Sequence, residues 1–418
     1  MMNVTSTASN VFDAGLPTLN YGLTATPHDI LEDVRRAQSC APIAIGPLGP
    51  EILSYDLARD ILRDNRFRVP PGITLAAQGI ISGPLYDKMA NSLLGLDGPP
   101  HVRLRKLVSK AFTPRATSRL QDTIREVVNQ LIDRVADAGR CDVVTDIARP
   151  YPTPIMCALL GAPREDWQLF ADWTEEIFKA LNFQPDATFD ESAIMRAWGE
   201  LDAYVDDMVA ARRKSLTDDL LSELIRAESD GDRLNLDELR MLVAGFLMAG
   251  TDTTRNQLAA SVQVLCEHPD QWAKLREHPE LAMQAVEESM RHSPAACIVP
   301  RVAGGDVEFG GYLFPAGTFV LANTFAANRD PAIYDDADRF DIARKDVPAI
   351  LTFGGGAHYC LGANLARREL AEALTVLTRR LSATHRVGPA PWKSLLGMTG
   401  PTTLPIEFTC ERLVTADA

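Results

Sequence analysis

The residue of this chain best suited to binding a metal is a cysteine in a glycine-rich segment. Cys360 follows three consecutive glycines at 354–356 and precedes a helix-forming run at 363–377. Glycines let a backbone approach a flat ligand closely. The free N–H groups and the positive dipole end of a helix N-terminus stabilise a thiolate, the form of cysteine that binds metals. Because a lone cysteine is more often a buried structural residue, its neighbours must decide its role.

The segment around Cys360 matches the haem-ligand loop of a known family. The pattern Phe-x-x-Gly-x-His/Arg-x-Cys-x-Gly is met at every fixed position, by Phe353, Gly356, His358, Cys360 and Gly362. In this loop the chain resembles the cytochrome P450 family. The resemblance implies that the loop binds haem b, with Cys360 as the axial iron ligand and His358 in contact with a haem propionate. A thiolate ligand pushes electron density onto the iron and favours cleavage of the O–O bond.

A polar interruption in a long apolar helix is the second candidate for chemistry. Asp252 and Thr253 follow Ala249 and Gly250, and such residues are poor helix formers, so we expect the helix to kink or loosen here. Without context the interruption could mark only a solvated bend. It resembles the family's oxygen-activation motif, Ala/Gly-Gly-x-Asp/Glu-Thr. The resemblance implies that Asp252 relays protons and that the Thr253 hydroxyl steers them during dioxygen activation, a form of general acid catalysis.

Two residues on the helical stretch 281–292 form a candidate framework pair. Glu288 and Arg291 are three positions apart, and alone such a pair is usually a weak surface ion pair. The resemblance implies a buried Glu-x-x-Arg pair completed by a downstream arginine, which maps onto Arg339. The family often has proline two residues before that arginine, whereas this chain has Ala337. We assign the three residues to holding the fold behind the haem.

A further set of cations is suited to binding an anionic group. His101 and Arg105 are one helical turn apart, so their side chains share a face. Without context they would be solvent-facing polar residues. The resemblance implies that they contact haem propionates and that Arg301 does so as well. Together with His358, they would balance two carboxylates that could not otherwise be buried.

A basic stretch stands out in this acidic chain. Residues 98–121 contain six basic residues and no acidic one, and Arg103, Lys106 and Lys110 recur at intervals of three and four. A solvated helix face is an equally good interpretation. The functional interpretation is a docking surface for an acidic ferredoxin, because complementary charge steers electron carriers. No GxGxxG fingerprint of a flavin or dinucleotide site occurs in the sequence, so electrons would come from a separate ferredoxin and reductase.

The elements that must position these residues are mainly helical. Asn235 and Glu238 form a candidate capping box. The apolar run from there to His268 predicts a helix of about 33 residues, roughly 50 Å long, through the middle of the molecule. Stretches punctuated by glycine at 299–322, and the tail at 402–409, predict short strands.

The domain organisation expected from these patterns is simple. The sequence has no internal repeat and no long linker. We therefore expect a single domain, mainly α with a small β region, and the resemblance implies the cytochrome P450 fold. A single large haem domain would occupy 30–418, after an N-terminal extension at 1–29.

Composition limits the classes of function. The 418 residues are 46% hydrophobic and 23% charged, as in an ordinary globular protein. The net charge of −14 argues against a nucleic-acid partner. Seven cysteines without CxxC spacing indicate neither a disulfide framework nor a zinc site. Because no stretch is long and apolar enough for a membrane span, we expect a protein without a membrane anchor, and reduced thiols fit the cytoplasm. We also expect a monomer.

The substrate is the least defined part of the prediction. By analogy with the family, the distal pocket would be lined by 69–85, 178–183 and by Gly245, Met248, Ala249, Cys297, Ile298, Val299 and Met398. These segments are mostly apolar, which favours a hydrophobic ligand such as a terpenoid, steroid or aromatic compound. Apolar side chains at these places could equally belong to the core.

The sequence thus indicates a haem-thiolate monooxygenase of the soluble bacterial type. It would insert one oxygen atom from dioxygen into a hydrophobic small organic substrate, by hydroxylation or oxidative dealkylation. Two alternatives remain open. A peroxide-driven peroxygenase or haem isomerase would need no ferredoxin, and a non-catalytic haem or ligand-binding protein would need no Asp252–Thr253 pair.

Overall fold

A computed structural model describes residues 8–70, 72, 73, 75–181, 190–227, 234–345 and 347–411. The helices are α1 (Pro27–Cys40), α2 (Tyr55–Ile61), α3 (Pro84–Ala90), α4 (Gly98–Val108), α5 (Pro114–Ser118), α6 (Gln121–Val135), α7 (Pro152–Leu160), α8 (Trp167–Phe178), α9 (Glu191–Lys214), α10 (Leu220–Ala227), α11 (Leu236–Glu267), α12 (Pro269–Glu277), α13 (Ala282–His292), α14 (Thr324–Ala327) and α15 (Ala363–Arg380). The fold is mainly helical, as expected.

Eleven short strands in the described residues form the β region. They are β1 (Ser9–Asn10), β2 (Ile43–Gly46), β3 (Gly49–Ile52), β4 (Phe67–Arg68), β5 (Arg140–Asp142), β6 (Ile298–Ala303), β7 (Val307–Phe309), β8 (Tyr312–Phe314), β9 (Phe319–Asn323), β10 (Leu381–Arg386) and β11 (Pro405–Cys410). One sheet has the order β2-β3-β9-β6-β4, and two smaller sheets have the orders β10-β11-β5 and β1-β8-β7. The strands expected in 299–322 and at the tail are confirmed.

The longest helix, α11, has the bounds that the sequence predicts. The Asn235 side chain accepts a hydrogen bond from the Glu238 N–H at 2.9 Å, and the Glu238 carboxylate accepts one from the Asn235 N–H at 2.9 Å. Both ends of the capping box are therefore satisfied, and the helix ends before His268. Most of its side chains are buried, so α11 is the central element of the core. Among the described helices, none could cross a lipid bilayer, and this includes α11.

The polar stretch in the middle of α11 does not break the helix. All of this helix is described, and it is continuous through residues 249–254. The Thr251 and Thr253 hydroxyls each donate to the carbonyl four residues earlier, at 2.7 Å, so their oxygens are satisfied within the helix. Gly250 has a packing role here. A Cβ at this position would lie 2.5 Å from Met156 Sδ, so glycine allows α7 to pack closely against α11.

The expected boundary at residue 30 does not separate an extension from the domain. β1 pairs in parallel with β8, and Val11 is fully buried beside the strands of the β region. The Leu19 N–H donates to the Ile45 carbonyl at 2.9 Å. Apolar side chains of this polar, turn-rich segment therefore complete the core, and residues from 8 onward belong to the same domain.

Candidate functional site

One face of α11 is left open although most of the helix is buried. Gly245, Ala249 and Thr253 recur every four residues and remain accessible, whereas Met248 and Asp252 beside them are buried. A Cβ added to Gly245 would meet no described atom within 4 Å. This stripe of small side chains leaves space for a ligand against the central helix.

The loop around Cys360 adopts a backbone that requires glycine. Gly354 and Gly356 have φ angles of 69° and 63°, in the left-handed region. A Cβ on Gly356 would lie 2.6 Å from the Leu62 carbonyl oxygen, so no other residue fits without movement. The chain then turns back, and the Cys360 N–H donates to the Phe353 carbonyl at 2.9 Å. This turn places the sulfur just before the first turn of α15.

The surroundings of Cys360 act on its thiol in opposite directions. Burial raises the pKa of Cys360, while the Gly362 N–H and the positive charges of Arg105 and Arg367 lower it. The Arg367 guanidinium also lies over the Phe353 ring, 4.3 Å from its centroid. The N–H group and both cations would stabilise a thiolate bound to a metal ion.

Four predicted propionate ligands occur in one cluster. The His101 and His358 rings stack with centroids 4.1 Å apart. Arg301 is 4% exposed, and its guanidinium donates to the Pro300 carbonyl at 2.8 Å. The Arg105 guanidinium donates to the Tyr359 carbonyl beside the cysteine. The structure thus brings these four side chains together, although they come from α4, β6 and the haem-ligand loop.

Two observations show that this cluster fits an anionic group. His101 is 2% exposed, yet its Nε2 has no hydrogen-bond partner among the described residues. Arg301 forms no ion pair within the described part of the chain, and burial lowers its pKa to about 10. Burial likewise lowers the pKa of His101 to about 4. A buried donor and a buried cation without anionic partners are what the propionates of a haem would satisfy.

Asp97 is a member of the cluster that sequence reasoning missed. One of its carboxylate oxygens accepts a hydrogen bond from His358 Nε2 at 2.7 Å, and the other accepts from the Val69 N–H at 2.7 Å. Burial lowers the pKa of His358, and the hydrogen bond to Asp97 opposes this effect. The available signal was local: Asp97 stands immediately before α4, two residues before its first proline.

Asp252 lies in a charged network that was also missed. Its carboxylate forms an ion pair with Arg255, which pairs in turn with Glu175 of α8. The Asn256 amide lies 3.3 Å from the second carboxylate oxygen of Asp252 and accepts a hydrogen bond from Lys393 Nζ at 2.8 Å. Arg255 and Asn256 follow Asp252 by three and four residues, and that spacing could have indicated the contacts.

The residues expected to line the distal pocket divide into two groups. Gly245 and Ala249 are on the open stripe, and Ile298, Val299 and Met398 are partly exposed. Met248 is 2% exposed and packs in the core. Of the expected lining segments, residues 71, 74, 182 and 183 lie outside the described residues.

The expectation for Cys297 is wrong. Its side chain is fully buried in a core cluster with Leu19 and Phe325, and burial raises the pKa of its thiol to about 12. It stands immediately before β6, where alternate side chains point to opposite faces of the sheet. Cys297 therefore faces the core and belongs to packing.

Comparison with known proteins agrees with this geometry. A family model described as Cytochrome P450 matches residues 83–404. The chain belongs to this family. Cytochromes P450 bind haem b through a cysteine thiolate, and homologues of this chain are monooxygenases and hydroxylases, so this protein is an oxidoreductase that incorporates oxygen from dioxygen.

Relatives and solved structures support the assignment along nearly the whole chain. Luteothin monooxygenase of Streptomyces thioluteus is 40% identical over 90% of this chain and 92% of its own length. Mycinamicin IV hydroxylase/epoxidase of Micromonospora griseorubida is 37% identical, over 86% of this chain and 90% of its own. The crystal structure of CalO2 superposes with a TM-score of 0.87 at 30% identity, covering 94% of this chain and 99% of CalO2.

The framework pair of this cytochrome P450 is present, but its third member is not the one expected. Arg291 pairs with Glu288 through two hydrogen bonds of 2.7 and 2.8 Å. The added arginine is Arg344, whose Nε lies 3.3 Å from the Glu288 carboxylate. The Arg339 side chain is 62% exposed and faces Asp341, while its backbone carbonyl accepts from Arg291 at 3.0 Å. The prediction that the Arg339 side chain completes the trio is therefore wrong.

The basic face of α4 is only partly free. Lys106 and Lys110 are exposed, as the docking hypothesis requires. Arg103 instead forms an ion pair with Glu238 at the start of α11. This contact joins two helices across 135 positions, so helical spacing alone could not reveal it. Arg103 therefore has a role within the fold of this cytochrome P450, whether or not it also meets a partner.

Proposed function

We propose that Cys360 is the axial haem ligand of a ferredoxin-dependent monooxygenase that oxidises a hydrophobic small organic substrate. The observation that carries this proposal is the buried pair of His101, whose Nε2 has no hydrogen-bond partner in the described chain, and Arg301, which forms no ion pair there, beside the loop that presents Cys360. When bound, haem b supplies an iron centre that activates dioxygen. The protein binds and orients the haem and the substrate, and it delivers the protons.

When haem is bound, the cluster would hold its two carboxylates. Arg105 and Arg301 would supply positive charge, His101 would supply an N–H donor, and the His358 ring, stacked on His101, would lie beside them. Charged hydrogen bonds of this kind compensate the cost of burying propionates. Phe353 and Gly362 shape the loop through the hydrogen bond from the Cys360 N–H to the Phe353 carbonyl and through the Gly362 N–H, and the charge of Arg367 over Phe353 would support the thiolate.

Asp252 and Thr253 would move protons on α11. The Thr253 hydroxyl donates to the Ala249 carbonyl at 2.7 Å, and after rotation about one bond it could donate to a water instead. The Asp252 carboxylate can take up a proton once it is released from Arg255. A carboxylate and an alcohol on neighbouring residues then form a relay of general acids.

The substrate binds on the open stripe of α11. Gly245 and Ala249 offer a small, apolar surface, and the partly exposed Ile298, Val299 and Met398 extend the apolar character around it, while Met248 packs in the core behind it. Such a surface favours a hydrophobic ligand, oxidised by hydroxylation or oxidative dealkylation. The names of two relatives, Luteothin monooxygenase and Mycinamicin IV hydroxylase/epoxidase, support oxidation of an organic compound.

Electrons arrive from a separate acidic ferredoxin and its reductase. Lys106 is exposed on α4, the helix that also carries Arg105 beside the cysteine loop, and Lys110 is exposed in the turn that follows α4. In a chain with a net charge of −14, this face is where an acidic partner is attracted and not repelled. We propose a cytoplasmic monomer as the working form.

Reconstitution tests the function. The holoprotein is mixed with a bacterial ferredoxin, ferredoxin reductase and NADPH, and hydrophobic compounds are first screened for displacement of the iron-bound water in the absorption spectrum. Hits should be oxidised with consumption of dioxygen, and omitting ferredoxin should stop the reaction. Equal turnover with hydrogen peroxide alone, indifferent to ferredoxin, would contradict the proposal.

A further inference from the structure

Asp97 occupies a helix-capping position but does not cap the helix. It is the N-cap residue of α4, yet its side chain accepts no hydrogen bond from the first turn. An N-cap aspartate normally accepts from the N–H of the second or third helical residue. Here those residues are Pro99 and Pro100, which have no N–H. The two prolines therefore leave the carboxylate available for partners elsewhere.

The carboxylate of Asp97 joins two segments that are distant in sequence. His358, 261 positions away in the haem-ligand loop, lies 2.7 Å from one oxygen, and the Val69 N–H, 28 positions away, lies 2.7 Å from the other. The bond to His358 is largely shielded from solvent, because the His358 side chain is 16% exposed. One side chain thus connects α4, the haem-ligand loop and the chain that follows β4.

Val69 begins the segment 69–85, which leads from β4 to α3. Within this segment the described backbone hydrogen bonds close short turns, such as Ile73 N–H to the Pro70 carbonyl at 2.8 Å and Ile80 N–H to the Leu75 carbonyl at 2.9 Å. Turns of this kind fix local shape but do not attach the segment to the haem-ligand loop. The hydrogen bond from the Val69 N–H to Asp97 does attach the segment to this loop, because Asp97 also bonds to His358.

We propose that Asp97 is a positioning residue, which fixes the start of segment 69–85 against the haem-ligand loop and so shapes the distal pocket. This inference rests on the proposed function of the site. A carboxylate suits the task because its two oxygens can accept from two donors at once, whereas an amide offers one acceptor. The residue acts through Val69 and does not touch the reacting atoms.

Hydrogen exchange on the holoprotein tests the proposal directly. Asp97→Ala removes both acceptors, Asp97→Asn keeps one, and Asp335→Asn serves as a control at an exposed aspartate outside the cluster. We expect amide exchange in peptides from 69–85 to rise about tenfold in Asp97→Ala, because a hydrogen bond to a charged group is lost. Asp97→Asn should show a smaller rise, and peptides from α11 should not change in either variant.

Two azole probes report on the pocket. Imidazole reports on access to the iron alone, and 4-phenylimidazole also fills the space beside it. We expect Asp97→Ala to weaken the binding of 4-phenylimidazole by about three- to tenfold and to leave the binding of imidazole unchanged. A wild-type level of exchange in 69–85 would overturn the proposal. So would an equal rise in α11, which would reveal a general loss of stability.

A failure of the proposed function can be told apart from a failure of the Asp97 proposal. If the wild-type protein held no thiolate-bound haem, its reduced carbon monoxide spectrum would show this before any variant was compared. Exchange in 69–85 would still report whether Asp97 holds Val69.

Discussion

The guanidinium of Arg291 lies against both oxygens of the Glu288 carboxylate, with Nε 2.7 Å from one and Nη2 2.8 Å from the other. Both side chains are buried, 1% and 4% exposed. Arg291 also donates to the backbone carbonyls of Asn328, Ala337 and Arg339. One buried ion pair thus fixes the irregular chain that leads to the haem-ligand loop.

Removing one partner of this pair should be costly. Glu288→Ala leaves a buried guanidinium without a counter-charge, so we expect a loss of about 3–5 kcal/mol in the free energy of unfolding. Arg344→Ala should cost about 1–3 kcal/mol, because a hydrogen bond to a charged group is lost. Arg339→Ala should change stability by less than about 0.5 kcal/mol. Urea denaturation measures all three changes in the free energy of unfolding. If Arg339→Ala were as destabilising as Arg344→Ala, Arg339 would be the third member of the trio after all.

Thr253 should control the fraction of consumed electrons that leads to product. Thr253→Ala removes the hydroxyl of the proposed relay, so product formed per electron consumed should fall by about tenfold or more, with the difference released as peroxide. Thr251 provides a matched control, because its hydroxyl makes the same 2.7 Å bond to a carbonyl four residues earlier but is buried. Thr251→Ala should keep normal coupling. Equal coupling in wild type and Thr253→Ala would remove Thr253 from the mechanism.

His292 should make stability depend on pH. Burial, followed by the nearby charges of Arg329 and Arg291, lowers the pKa of His292 from 6.5 to about 2. Below pH 6.5 the unfolded chain therefore takes up a proton that the native protein does not. The stabilisation is complete above pH 6.5 and is lost as the pH falls, by up to about 1.4 kcal/mol per pH unit.

Comparison with His292→Gln isolates this contribution. Urea denaturation at pH 7.5 and pH 5.5 should show that wild type loses about 1 kcal/mol more than the variant on acidification. Identical losses would mean that His292 titrates normally in the folded protein.

The exposed Lys106 of α4 and Lys110 of the turn that follows it should govern reduction by ferredoxin. Replacing Lys106 and Lys110 with glutamate reverses the charge of the proposed docking face. We expect the second-order rate constant for reduction to fall by about tenfold or more at low ionic strength, and the difference to shrink as salt is added. Lys214→Glu, at an exposed lysine at the end of α9, is the control. Unchanged reduction at low salt would remove the docking assignment.

The sequence predicted the parts of the site that depend on contiguous residues. The haem-ligand loop and the bounds of α11 follow from local motifs, whose spacing needs no knowledge of the fold. Arg344 was missed because residues 328–355 contain no long regular element, and no periodicity shows which arginine turns inward. Cys297 was misplaced because an apolar run does not show which face of a strand a side chain occupies.

Contacts between distant segments were beyond sequence reasoning. The pairing of Arg103 with Glu238, and of Asp97 with His358, arises only when helices and loops pack together. The N-terminal residues from 8 onward illustrate the same point, because a polar segment with few apolar side chains still completes a core. By contrast, the stretch 249–254 was expected to loosen α11, but its threonines satisfy their hydroxyls within the helix.

The most direct test of the account is the absorption spectrum of the reduced protein under carbon monoxide. With Cys360 as the ligand, the wild-type holoprotein should show the long-wavelength band of a thiolate-bound carbonyl haem. Cys40→Ser, at an exposed cysteine, should keep that band, and Cys360→His should lose it. A histidine-type spectrum in the wild type, or the thiolate band in Cys360→His, would contradict the assignment.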